Sequence, residues 1–202
     1  MTHAFPPAPS GDAGAGPLAL VVRALAFATL RHTDQRRKGR RAQPYVNHLA
    51  EVALLVSEAT GGADGALVAA ALLHDVVEDQ AVTAAEIEAT FGADVAGLVM
   101  EVTDDKALEP AERKRLQVAH APHLTERAKL LKLADKTANL RSLSEDPPED
   151  WGVTRMRAYV EWSRAVVQGL RGRSPALEAA FDAAAEEAMA AIDARVSAEA
   201  AG

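Results

Sequence analysis

Apolar positions recur at three- and four-residue intervals through most of the chain, and no stretch alternates strictly enough to read as a strand. Helices are therefore expected throughout. The first covers Leu18 to about His32, with Leu18, Val21, Val22, Leu25, Ala26 and Thr29 on one stripe. A basic loop follows and ends at Pro44; the next helix runs from Tyr45 to Glu58, with His48 among Val52, Leu55 and Val56. Gly-Gly-Ala-Asp-Gly at 61–65 makes a turn, since it lacks the spacing and the lysine of a phosphate-binding loop. A central helix is then predicted from Ala66 to Asp79. Thr83 and Glu86 form a capping box that opens a short helix closed by Gly92. Further helices are expected over 93–102 and 109–119, with a turn at Asp104-Asp105. Arg127 to Leu143 carries a core stripe of Leu130, Leu133, Ala134 and Thr137, and Pro147-Pro148 ends it. A long helix from Trp151 to Leu170 and an alanine-rich amphipathic segment from Ser174 complete the chain.

Composition narrows this to an all-α fold. At 202 residues there is room for one sizeable domain, and aromatic residues make up only 4% while apolar residues make up 49%, mostly Ala, Leu and Val. We expect a Pro-, Gly- and Ala-rich leader over residues 1–16, in which His3 is incidental, a folded domain over 17–185, and an alanine-rich end over 186–202. The chain has no cysteine, which removes disulfides, thiolate metal sites and a cysteine nucleophile. No apolar run approaches the roughly 20 residues of a membrane span, and the N-terminus lacks the order of a signal peptide. A soluble, cytoplasmic protein without a membrane partner is expected. The net charge of −7 argues against nucleic acid as a partner. Against that background, Arg31 to Arg41 gathers six cations around the single anion Asp34, which suits a small anionic ligand or a solvated loop.

The candidate chemistry centres on Ala69-Ala-Ala-Leu-Leu-His74-Asp75-Val-Val-Glu78-Asp79. On one helix, Asp75, Glu78 and Asp79 would share a face, where three carboxylates repel one another and resist burial. A divalent cation beside them removes the difficulty, and His74 offers a nitrogen ligand. His48 and Asp135 likewise interrupt apolar faces of two other predicted helices. Taken alone, His48 would suit a hydrogen-bonded core histidine. As a set, His48, His74, Asp75 and Asp135 are two imidazoles and two carboxylates, which suit Mn²⁺, Fe²⁺ or Zn²⁺. Such an ion would acidify a water and polarise a phosphoryl group. Glu78 and Asp79 could orient that water and shuttle its proton.

Several segments, in order, carry a resemblance. They are Arg36-Arg-Lys38, Pro44-Tyr-Val-Asn-His48, Ala71 to Asp79, Phe91-Gly92, Val102-Thr-Asp-Asp-Lys106, Glu112 to Gln117 and Lys132 to Arg141, with Tyr159 and Trp162 beyond. Over roughly residues 18–180 the chain resembles the hydrolase (HD) domain of the RelA/SpoT family, most closely the stand-alone small alarmone hydrolases that include metazoan SpoT homologues. The resemblance implies a single-domain HD helical bundle and one Mn²⁺ per chain held by His48, His74, Asp75 and Asp135. It implies a 3′-pyrophosphohydrolase that converts ppGpp to GDP and pyrophosphate, and pppGpp to GTP, with Glu78 and Asp79 as the catalytic acidic pair. It further implies that Arg37 and Lys38 are cations near the substrate, that Asn139, Arg155 and Tyr159 bind it, and that Trp151 lines the pocket. Leu49 and Ala138 depart from the family pattern, which commonly has Pro and a large side chain there. An NADPH or general nucleotide phosphatase on the same scaffold is the alternative activity, and an alarmone-binding module without catalysis is a third. His32, His120 and His123 fall outside the motifs and are expected to be structural or surface residues. Nothing in the chain bears on oligomeric state.

Overall fold

The computed structural model describes residues 16–201, so the expected leader lies, Gly16 apart, outside the described residues, as does His3. Among the described residues all regular structure is helical, apart from isolated bridges at Arg36–Pro44 and Gly39–Pro148. The chain forms two compact units. One gathers Tyr45–Asp105 with the described residues up to Gln35; the other gathers Arg36–Pro44 with the chain from Lys106 onward.

The first unit contains α1 (Pro17–Arg31), α2 (Val46–Ala59), α3 (Gly65–Leu73), α4 (Val76–Asp79), α5 (Ala84–Phe91) and α6 (Ala93–Val102). Every residue of α3 from Leu67 to Leu73 is buried, as its unbroken apolar run requires, and α1, α2 and α6 pack against it. The predicted central helix does not run continuously to Asp79. It stops after Leu73 and resumes at Val76. At the break the His74 ring nitrogen Nδ1 takes the Ala71 carbonyl at 2.8 Å, an acceptor that a continuous helix would offer to the Asp75 amide.

The predicted stripe of α1 is also corrected. Ala24, Phe27 and Ala28 are the buried residues of this helix, whereas Leu18 is 77% and Val22 55% exposed. An all-round apolar helix has no unique inward face by pattern alone. The alanines win because their small side chains let α1 approach α3 closely. The capping box of α5 forms by halves: Thr83 Oγ1 accepts from the Glu86 amide at 3.1 Å, while the Glu86 carboxylate pairs with Arg31. Gly92, at φ +90°, joins α5 to α6 in a conformation that side-chain-bearing residues resist.

In the second unit, α7 (Pro110–His120) and a 3₁₀ turn (Ala121–His123) lead to α8 (Glu126–Glu145), α9 (Val153–Gln168) and α10 (Pro175–Ala201). α8 buries Leu131, Leu133, Ala134, Ala138, Leu140 and Leu143, and both α9 and α10 pack on it. α9 begins at Val153, so Trp151 stands in the loop before it. α10 runs without interruption through residue 185 and buries Ala188 and Ile192. The Arg36–Pro44 segment is held against the end of α8: the Arg41 amide donates to Asp146, and a Cβ on Gly39 would lie 2.1 Å from Asp146 Oδ2.

Candidate functional site

In the first unit, α2 carries His48 and the α3–α4 junction carries His74 and Asp75; both imidazoles are almost fully buried. Their rings sit edge to face with centroids 5.4 Å apart. His74 Nε2 lies 3.1 Å and His48 Nε2 3.8 Å from the same oxygen, Asp75 Oδ2. The break in the helix produces this arrangement, since the bond to the Ala71 carbonyl turns the His74 ring. A carbonyl can only accept, so His74 Nδ1 carries the hydrogen, and in the neutral form of the ring Nε2 then presents its lone pair. Two lone-pair atoms, His74 Nε2 and Asp75 Oδ2, then face each other at 3.1 Å. Either a proton on Nε2 or a cation beside the two atoms makes that contact favourable, and two imidazoles with a carboxylate are donor types that fit a divalent metal ion. The Tyr45 hydroxyl donates to Asp75 Oδ2 at 2.6 Å and fixes the carboxylate from behind. The two imidazoles and the Asp75 carboxylate of this unit have the donor types of a divalent-metal site.

One turn on, Glu78 and Asp79 occupy α4, and the Asp79 amide donates to the Asp75 carbonyl at 2.8 Å. Both are partly exposed. Asp79 Oδ2 accepts from Gln35 Nε2 at 2.8 Å. His32, expected to be structural or on the surface, is buried in this unit, its ring stacked on Tyr45 at 5.1 Å. Burial lowers its pKa, outweighing the hydrogen bond to Gln35 and the carboxylates of Asp75 and Asp79, which pull upward.

In the second unit, Asp135 projects from α8 with its side chain 15% exposed. Asn139, one turn on, donates to Asp135 Oδ1 at 2.6 Å, and the Lys136 ammonium lies 3.3 Å from Oδ2. Arg37 donates to Asn139 Oδ1 at 3.0 Å, so Arg37, Asn139 and Asp135 form one chain of bonds. Lys38 is exposed and stands apart from that chain.

Trp151, Tyr159 and Trp162 form a ladder with successive centroids 5.3 Å apart. The Arg155 guanidinium lies over Trp151 at 4.5 Å, and its Nη1 is 3.6 Å from Asp150. Trp151 Nε1 is buried without a hydrogen-bond partner, a donor that suits an acceptor on a bound molecule. Lys136 and Lys114 lie 4.5 Å and 5.0 Å from the Trp162 centroid. Burial, then the nearby charges of Arg155 and Lys136, lower the pKa of Lys114. Burial raises that of the Tyr159 hydroxyl.

Gln35, Tyr45, Lys114 and Lys136 are polar residues that the pattern of the sequence left without a role. Gln35 adjoins the Arg36-Arg-Lys38 run, and the other three fall inside quoted motifs, which was the only signal for them. His120 and His123 are exposed, as expected. Leu49 and Ala138, the two departures from the family pattern, are fully buried.

Comparison with known proteins finds relatives that match most of the chain. The HD-domain family model matches residues 24–192 as one span. The guanosine-3′,5′-bis(diphosphate) 3′-pyrophosphohydrolase MESH1 of Xenopus tropicalis is 50% identical over 164 residues, covering 81% of this chain and 92% of that protein. Its counterpart in Homo sapiens is 49% identical over 163 residues, 81% of this chain and 91% of that one. A solved structure of a metazoan SpoT ortholog, described as hydrolysing ppGpp and playing a role in starvation responses, superimposes with a TM-score of 0.79 at 45% identity. It covers 82% of this chain and 93% of its own. Paired imidazoles turned onto one carboxylate within a helical fold are thus found in a chain whose match extends through nearly the whole of these relatives. The chain belongs to the HD-domain family and, within it, to the group of the metazoan SpoT homologues.

Proposed function

We propose that this chain is a metal-dependent hydrolase that removes the 3′-pyrophosphate from ppGpp and pppGpp, releasing GDP or GTP. The observation that carries the reading is the convergence of His48 and His74 Nε2 on Asp75 Oδ2, in a chain half identical over 92% of a pyrophosphohydrolase. His48, His74 and Asp75, with Asp135, would hold one divalent ion, for which we propose Mn²⁺. When bound, that ion supplies Lewis acidity to a water and to the phosphoryl oxygens.

The chain's own residues divide the remaining work. Tyr45 and the Ala71 carbonyl fix Asp75 and the His74 tautomer. Glu78 and Asp79 sit one turn from Asp75 and are suited to take the proton of the attacking water and return one to the departing ribose 3′ oxygen, as the bond from that oxygen to phosphorus breaks. The crowded cations Lys114, Lys136 and Arg155 lie around an aromatic ladder that offers flat faces to a base and positive charge to phosphates. Arg37, Lys38, Asn139, Trp151, Arg155 and Tyr159 are the proposed substrate contacts. The absence of cysteine suits a cytoplasmic setting.

The test is turnover of Mn²⁺-loaded protein on ppGpp, pppGpp and NADPH, with products separated by chromatography. Pyrophosphate and GDP in equal amounts from ppGpp, at a kcat/KM at least tenfold that for NADPH phosphate release, is the expected result. Release from NADPH alone would replace this reading with that of a phosphatase.

A further inference from the structure

Gln35 follows α1 in the sequence, is partly exposed, and has its amide held from both ends. Its Nε2 donates to Asp79 Oδ2 at 2.8 Å, across 44 residues of sequence. An ionised carboxylate can only accept, so the NH₂ of Gln35 must face Asp79 and its carbonyl must face the other way. On that other side, Gln35 Oε1 lies 2.5 Å from His32 Nδ1 and 2.5 Å from Gln80 Nε2. An oxygen that meets both nitrogens requires both to donate, so His32 bears its hydrogen on Nδ1. His32 is in turn immobilised: it is 2% exposed and its ring stacks on Tyr45 with an interplanar angle of 19°. The amide of Gln35 therefore has one orientation, set by two donors and read out at one carboxylate.

We propose that Gln35, clamped by His32 and Gln80, is a positioning residue that aims the Asp79 carboxylate for proton transfer. The proposal rests on Asp79 being one of the catalytic acids. The Glu78–Asp79 pair stands on a helix of four residues, too short to hold a side chain rigidly by itself. A carboxylate at such a terminus swings between rotamers unless something outside the helix restrains it, and proton transfer tolerates little misplacement. Gln35 supplies that restraint from a separate part of the chain.

The experiment compares Gln35→Met, which keeps the length and removes the donor, and Gln35→Glu, which keeps the shape and faces Asp79 with a second acceptor. Asp79→Asn and the double variant Gln35→Met/Asp79→Asn complete the set. Steady-state kinetics on ppGpp, metal content and Tm are read for each. Gln35→Met and Gln35→Glu should lose at least tenfold in kcat with KM within twofold, metal content unchanged and Tm within a few degrees. The double variant should be no slower than Asp79→Asn, because there is nothing left to aim. The inference is overturned if kcat stays within twofold in both single variants while Asp79→Asn is inactive. It is overturned equally if the loss follows a fall in Tm or metal content, or if the two losses multiply. Wild-type turnover by Asp79→Asn would remove the catalytic assignment of Asp79 and this inference with it, an outcome distinct from failure at Gln35 alone.

Discussion

Single side chains decide whether this molecule can hold an ion. With its Nδ1 committed to the Ala71 carbonyl at 2.8 Å, His74 is left to offer Nε2 to an ion. His74→Ala and Asp135→Ala should therefore each abolish stoichiometric Mn²⁺, measured by metal analysis after gel filtration; full occupancy in both would refute the ligand set. Glu78→Gln and Asp79→Asn should keep the metal and lose about 10²–10⁴-fold in kcat, the usual worth of general acid–base help. His32 gives a pH prediction. Its folded pKa is lowered, so the folded state binds fewer protons than the unfolded chain below pH 6.5. The stability it contributes is full above that pH and is lost as the pH falls, because the unfolded chain takes up a proton that the buried ring resists. Tm measured between pH 8 and pH 5 should fall less steeply in His32→Asn than in wild type. An equal slope would show that other groups govern the acid limb.

Helices carry the next set of consequences. The buried side of α1 is made by Ala24, Phe27 and Ala28, and its larger aliphatic residues Leu18 and Val22 look outward. Ala24→Leu should consequently destabilise by about 1–3 kcal/mol through overpacking against α3. Leu18→Ser should change stability by about 0.5 kcal/mol or less. Chemical denaturation of the two variants discriminates this face from the one the hydrophobic pattern suggested, for which the ranking would reverse. Removing the cap at Thr83 by Thr83→Ala should cost about 1 kcal/mol and leave activity unchanged, because the Arg31–Glu86 pair still anchors that turn.

At the scale of the whole molecule, an acidic chain has to attract a polyanion. The net charge of −7 repels such a substrate at long range, so attraction must come from local cations. Lys38→Ala and Arg155→Ala should raise KM more than they lower kcat, since contacts far from the scissile bond hold ground and transition states alike. The penalty should shrink with added salt, because both side chains are exposed. A fall in kcat at constant KM would instead place them at the reacting phosphorus. Chelation should lower Tm, as loss of any ligand bound only to the folded state does.

Much of this was legible in the amino-acid order because the forces concerned are local. Helical periodicity, the Thr83 cap, the Gly92 stop and the donor types of His48, His74, Asp75 and Asp135 depend on neighbours within a turn or on side-chain chemistry alone. What the sequence could not decide depends on partners distant along the chain. Which side of α1 is buried is set by the shape of α3, not by the hydrophobicity of α1. At the break in the central helix the His74 imidazole takes the Ala71 carbonyl, a side-chain hydrogen bond that a helical pattern does not encode. Gln35 reads as one more polar residue beside a basic run until folding brings it to Asp79, where its amide has only one way to face. Local order thus determined the elements and the kinds of ligand, and tertiary packing decided their faces, tautomers and aim, because those are energies of contact between segments that only the fold brings together.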